Sequence, residues 1–368
     1  MTTTSRPLGE WLADDYEVVA RIYDNMPTGL TVSDDGRVFV SFPRWGDDVP
    51  FTVGELVDGR IRPYPTIEMN HWKPGDPAGR LVSVQSVVVD PAGRLWLLDT
   101  GAPEFGPIVP GGVKLVEIDL ASNSVVRVIH PSEESITDTT YLNDVRFDLS
   151  VGLGGFAYIT DSQESGGLVV VDLASGRSWA KLRGHASTRA VEGFRAMVQG
   201  EVREGYRVGS DGIALSADGA RLFFSSLSSR RLYSVATAAL RDELLDDDAV
   251  AETLVDLGDK GASDGLEADA EGAVYATAVE HSAVIRRDTD GRWTTLVHGP
   301  DVLWPDTLSL ASDGHLYVSV NQLPRSPLFN GGSDDRIPPY LLIRTRVDRA
   351  PVRLAASATT QTNSEEQL

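Results

Sequence analysis

Apolar and polar residues alternate along this chain in short runs that recur in pairs. LTVSDDGRVFVSF (30–42) is echoed by VVVDPAGRLWLLD (87–99), IALSADGARLFFSS (213–226), LEADAEGAVYATA (266–278) and LSLASDGHLYVSV (308–320). Each joins two period-2 runs through a turn rich in Asp, Ser, Ala and Gly. That is the pattern of a β-hairpin whose glycine supplies the positive φ. VRFDLSVGLGGFAYITD (145–161) has the same two runs around a longer turn and brings the count to six. Further strand pairs follow, as in VKLVEIDLASNSVVRVI (113–129), GLVVVDLASGRSWA (167–180) and SAVIRRDTDGRWTTLV (282–297). Four strands per repeat, at a spacing of roughly 40–60 residues, is the arrangement of propeller blades. The chain is therefore predicted to be all-β, a six-bladed β-propeller with four-stranded antiparallel blades over residues 16–350. A β-sandwich or a pair of barrels is the competing architecture, and those seldom repeat one hairpin six times. YEVVARIY (16–23) precedes the first hairpin and is expected to close the ring by joining the last blade. Residues 1–15 read as an N-terminal arm, and the small, polar stretch 351–368 as a disordered tail.

Eight positions before each turn glycine stands a hydrogen-bonding residue: Thr28, Gln85, Asp211, Asp264 and Asp306. Asn143, followed by Asp144, holds the matching place in the outlier repeat. Inner strands line a propeller's channel, so these side chains are expected to converge at one mouth. Clustered carboxylates with no Lys or Arg beside them must bind a cation or hold a proton. Asp264 and Asp306 are thus candidate acid–base groups. An oxygen-only set of Asn143, Asp211 and Asp264 would suit one hard divalent cation such as Ca²⁺. The plainer alternative is that these residues cap strand ends through Asx turns.

The second strand of each hairpin returns to the same mouth and adds Arg44, Trp45, Asp99, Asp161, Glu280, His281 and Asn321. His281 beside Glu280 is a candidate acid or base near neutral pH; a surface histidine on a blade edge is the competing reading. Trp304, just before the Asp306 strand, would wall the pocket, and His71 would reach the mouth from a long loop. With Thr28, Gln85, Arg44, Trp45, Asp99, Asp161 and Asn321, they form the expected substrate-binding set. Segments 43–80 and 184–208 are long enough to cover the opening.

Composition narrows the chemistry further. A net charge of −21 argues against a nucleic-acid partner. With no cysteine there is no disulfide, thiolate site or cysteine nucleophile. HExxH, GxSxG, P-loop and dinucleotide motifs are absent, so no nucleotide, flavin or haem is expected. No signal-like or membrane-spanning run is seen, and the expectation is a soluble cytoplasmic protein with a small-molecule ligand and no membrane contact.

The segments SFPRW, GRLWLLDTG, YLNDVRFD, AYITDS, GIALSADG, LFFSSLSSRRLYSV, KGASDGLEAD and LWPDTLSLASDGHLYV, in this order from about residue 20 to 348, resemble the Yellow / major royal jelly protein family. Lysine at only 73, 114, 181 and 260, beside abundant arginine, suggests a GC-rich bacterial member. The resemblance implies a six-bladed propeller with a small-molecule channel, whose relatives include dopachrome tautomerases, binders of biogenic amines and secreted nutritive or pigmentation proteins. A more distant similarity is to gluconolactonase/regucalcin propellers. It implies a divalent metal at LNDVRFD, SDGIALS and SDGLEAD, through Asn143, Asp211 and Asp264, although Thr28 replaces the first glutamate ligand. Three functions follow as expectations. The first is an isomerase or tautomerase acting by proton transfer on a small cyclic or oxygenated substrate. The others are a divalent-metal-dependent lactone hydrolase and a non-catalytic amine binder.

Overall fold

A computed structural model describes residues 16–73, 75, 77 and 79–356. Six four-stranded antiparallel sheets, each meandering from inner to outer strand, form the blades of a propeller. The inner strands are Leu30–Val32, Val84–Val89, Leu142–Asp148, Ser210–Leu215, Leu266–Ala268 and Trp304–Leu310, numbered here as blades 1 to 6. As the sequence predicts, Glu17–Ile22 supplies the outermost strand of blade 6 and pairs antiparallel with Tyr340–Arg346. N- and C-terminal strands thus close the ring within one sheet. The expected N-terminal arm, 1–15, lies outside the described residues, as does the tail from 357. Residues 351–356 belong instead to the folded body: Leu354 is buried, and Pro351 bridges to Asp269. Among the described residues no helix is long and apolar enough to cross a membrane.

Each hairpin turn is built the way its sequence suggests. In blade 2 the Asp90 carboxylate accepts from the Ala92 and Arg94 amides, while Gly93 takes φ of 79°. The returning strand brings Trp96, whose indole donates to the other Asp90 oxygen at 2.8 Å. Blade 5 repeats this with Asp269 and the Tyr275 hydroxyl, also at 2.8 Å. In blades 2, 5 and 6 the aromatic residue of the second run thus locks its own turn, the Tyr317 hydroxyl reaching Asp313 at 3.0 Å, and Trp96 also packs on Phe147 of the next blade.

Blades approach one another most closely at their inner strands. A Cβ on Gly212 would stand 2.3 Å from the Asp264 carbonyl oxygen, and one on Gly265 would stand 2.4 Å from that of Asp306. These neighbours are backbone atoms and cannot rotate away. Gly212→Ala is accordingly expected to cost about 1–3 kcal/mol by forcing blades 4 and 5 apart. A urea denaturation midpoint unchanged from wild type would contradict that.

Candidate functional site

The ring residues stand where each inner strand begins. In blades 2, 3, 4 and 6 a β-bulge falls there, between Val84 and Ser86, Leu142 and Val145, Ser210 and Ile213, and Pro305 and Leu308. A bulge inserts one residue and re-aims a side chain. Gln85, Asn143, Asp211, Asp264 and Asp306 all line one cavity of about 1250 Å³ at the upper mouth. Thr28 belongs to the ring but is sealed from the cavity, with its hydroxyl against Ser41 and the Gln85 carbonyl. Three residues further along the strands a second layer holds Arg146 and Glu267, paired at 3.8 Å, which separates this cavity from a smaller one below.

Aromatic rings form the walls in two stacks. Phe105 lies between Trp45 and Tyr141, with centroids 5.3 and 4.7 Å away. Tyr206 lies between Trp304 and Phe329, at 5.8 and 5.3 Å. The segment 184–208 carries a small hairpin, Ala196–Val198 with Glu201–Arg203, and places Glu204, Arg207 and Val208 at the rim. Among the described residues of the segment 43–80, only Trp45 reaches the cavity.

The floor is acidic. Asp144, Asp211, Asp264 and Asp306 are all buried. Burial holds the Asp211 carboxyl well above the usual carboxylate range, and the charges of Asp144 and Asp306 add to it. Burial and then Asp211 do the same to Asp264, and burial and then Asp264 to Asp306. Asp211 and Asp264 stand close enough to perturb each other, and burial together with this like-charge neighbour favours the protonated form of Asp264. Neutral donors hold several of the carboxyl oxygens. Asn143 Nδ2 donates to Asp211 Oδ1 at 2.5 Å, Trp304 Nε1 to Asp264 Oδ2 at 2.7 Å, and Asn321 Nδ2 to Asp306 Oδ2 at 2.7 Å. The sequence expectation of acids with no Lys or Arg nearby needs correction. Arg146 lies beneath Asp144, and Lys260 is buried close behind Asp211 and Asp264. Lys260 Nζ donates to the Gly261 carbonyl, and burial lowers its pKa to about 7.

Several predicted site residues stand elsewhere. Glu280 is fastened to Arg230 at 2.5 Å and to the Met197 amide, and His281 is exposed at the end of a 3₁₀ turn; neither lines the cavity. The acid–base pair expected there is therefore absent from the mouth. Asp99 accepts from the amides of Val82, Ser83 and Gly101 and pairs with Lys114 at 2.9 Å. Asp161 anchors Tyr141 N and Thr140 in the same manner. Both are loop fasteners beneath the rim. Arg44 spends its guanidinium on the carbonyls of Asn70, Leu81 and Val82, and is not available to an enolate. His71 is exposed beyond a helical turn, away from the cavity. Trp304 and Asn321 act one step back from the cavity, through Asp264 and Asp306.

A model of the major royal jelly protein family matches residues 82–330, which takes in the ring residues of blades 2 to 6. The chain belongs to that family. Its relatives include "Protein yellow" of Drosophila madeirensis, 29% identical over 234 residues, covering 58% of this chain and 39% of that protein. "Protein yellow" of Drosophila melanogaster is 28% identical over 241 residues, covering 58% and 41%. This royal jelly family propeller thus spans about two fifths of the length of those relatives. Among solved structures it is similar in fold to a putative gluconolactonase, with TM-score 0.56, 14% identity and coverage of 91% and 93%. It also matches a calcium-binding regucalcin from Agrobacterium tumefaciens, with TM-score 0.52, 15% identity and coverage of 92% and 97%.

Tyr141 and Phe105 line the site of this family member, and Tyr206, Lys260 and Asp144 back it, without having been singled out as site residues from the sequence. Tyr141 had a readable signal: it stands two positions before Asn143, as Trp304 does before Asp306. Phe105 and Tyr206 come from connections whose paths the repeat does not define.

Proposed function

We propose that the channel mouth is an enzyme site for proton transfer on a small, uncharged ring compound, in an isomerisation or tautomerisation. The observation that supports this reading is the neighbouring pair Asp211 and Asp264, both buried and both lining the foot of an aromatic-walled cavity, with one oxygen of each held by a neutral donor. Two carboxyls sharing one proton enter as a base and an acid side by side. The ionised member takes a proton from a carbon next to a carbonyl: the C–H bond breaks, an O–H bond forms on Asp, and the electron pair moves to the carbonyl oxygen. Proton return at a different atom completes the isomerisation. Trp304 and Asn143 hold the two carboxyls in place by donating to their outer oxygens. The test is exchange of the α-protons of 2-tetralone in D₂O, followed by proton NMR. Exchange above buffer is expected, and its absence would sink the reading.

A second reading is favoured by the donor chemistry. Asn143, Asp211 and Asp264 offer hard oxygen ligands, and propellers of similar fold include a calcium-binding regucalcin and gluconolactonases. Metal-assisted lactone hydrolysis would then occupy the same wall. The fit is incomplete: among the described residues no three acidic or histidine side chains converge on one point, whereas Ca²⁺ takes six to eight oxygens. Plasma mass spectrometry of the purified protein is expected to find no stoichiometric divalent ion. One equivalent of calcium, lost in Asp264→Ala, would put a cation where the shared proton is placed here.

A further inference from the structure

Gln85 holds the ring position of blade 2, lines the main cavity and is 7% exposed. Its amide is oriented by a chain of hydrogen bonds that starts at the rim. Trp45 Nε1 lies 2.7 Å from the Tyr141 hydroxyl oxygen, and that hydroxyl lies 2.9 Å from Gln85 Oε1. An indole N–H can only donate, so the Tyr141 oxygen is the acceptor in the first bond. A hydroxyl has one proton, and it therefore goes to Gln85. This commits the amide oxygen and leaves the Nε2 group, with its two N–H donors, without a partner among the described residues and on the cavity side. The neighbouring amide has the opposite commitment: Asn143 gives an N–H to Asp211.

The floor thus has an asymmetry that a ligand must match. On the side of blades 4 to 6 are carboxyls that take or give protons, and on the side of blade 2 is a fixed, uncharged donor. We propose that Gln85 is a catalytic residue that receives the carbonyl oxygen of a ring ketone on its Nε2 group, and that Tyr141 is the residue that positions it. The substrate class is then a flat ring bearing a carbonyl, stacked along the Trp45–Phe105–Tyr141 wall, with an adjacent C–H directed at Asp211 and Asp264. As that proton leaves, negative charge builds on the oxygen beside the Gln85 N–H groups, where a preorganised donor in a buried site acts more strongly than in water. This assignment of substrate rests on the proton-transfer reading above, whereas the hydrogen bond to a carbonyl stands independently of it.

The experiment uses 2-tetralone labelled with ¹³C at the carbonyl, read by infrared difference spectroscopy for binding and by NMR for exchange. With the wild-type protein the bound carbonyl stretch is expected at lower frequency than in an apolar solvent. Gln85→Met and Gln85→Leu, which lack any donor, are expected to abolish that shift and to slow exchange by about 100-fold or more. Tyr141→Phe frees the amide to turn and is expected to broaden the band and slow exchange by about tenfold. Asp264→Asn is expected to lose exchange and keep the shifted band. Wild-type band position and exchange rate in both Gln85 variants would overturn the assignment. A shifted band without exchange in the wild-type protein would uphold Gln85 and overturn proton transfer, and neither signal in the wild-type protein would overturn both.

Discussion

Asp264→Asn is expected to slow proton exchange by about 10²–10⁴-fold, the span of general acid–base contributions, and at the same time to make the protein more stable at neutral pH. The two effects have one cause. Asp264 is held well above the carboxylate range first by burial and then by Asp211, so ionising it costs free energy that the unfolded chain does not spend. An acid whose folded pKa is raised contributes stability that is fully present below its unfolded value and is lost as pH rises through the folded one. The acidic ring therefore weakens the fold as pH climbs out of the carboxylate range. Asparagine keeps an oxygen for the Trp304 indole and does not ionise. The gain in stability for Asp264→Asn should be smallest near pH 4 and grow toward pH 8, reaching on the order of 0.5–2 kcal/mol and showing as a rise in Tm. Paired thermal melts across that range check the sign. A variant less stable than wild type at pH 8 would mean that the carboxylate is matched by positive charge, from Lys260 or from a bound cation. Retained exchange would move the chemistry to Asp306.

The same ring shows what the sequence made legible. A turn glycine fixes the register of its hairpin, and counting back from it found the cavity-lining residue in blades 2, 4, 5 and 6, whereas in blade 1 it led to the sealed Thr28, and in blade 3 Asn143 was reached by matching the longer-turned repeat. Gln85, Asn143, Asp211, Asp264 and Asp306 were therefore readable without coordinates. The far ends of the second strands were not, because their residues lead into connections of unequal length. Glu280 was drawn away by Arg230, and Asp99 by Lys114 and three amides. A polar residue at a strand end fits a ligand or a loop equally well, and only the path of the loop decides. Arg146 and Glu267 were missed for another reason. In blade 3 the bulge adds one residue, so Arg146 stands three positions after Asn143 rather than two, a displacement that strand alternation does not forecast; Glu267 has the same spacing from Asp264, which stands before the paired strand begins at Leu266.

A chain ended at Asp348 is expected to lose about 3–5 kcal/mol of stability, although all the residues removed beyond position 350 read from sequence as a tail. In the structure they cross the lower face as a strap. The Ala270 amide donates to Ala350 O at 2.9 Å, Pro351 bridges to Asp269, and the Leu149 amide donates to Leu354 O at 2.7 Å. Arg353 pairs with Asp34 and Arg349 with Glu271. Blades 1, 3 and 5 are thereby tied together across the lower opening, where residues 351–353 help to enclose the small cavity beneath Arg146 and Glu267. Leu354 packs into the core between blades 3 and 4, and burying a leucine contributes about 1.5–3 kcal/mol. The two backbone bonds add about 0.5–1.5 kcal/mol each, while the exposed ion pairs add little. Leu354→Ala should then reproduce about 2–3 kcal/mol of the loss. Chemical denaturation separates the contributions, and 2-tetralone binding at the upper mouth should be unchanged in both variants because Arg146 and Glu267 lie between the two cavities. A truncated chain with the wild-type midpoint would show that the velcro strand Glu17–Ile22 alone holds the ring closed.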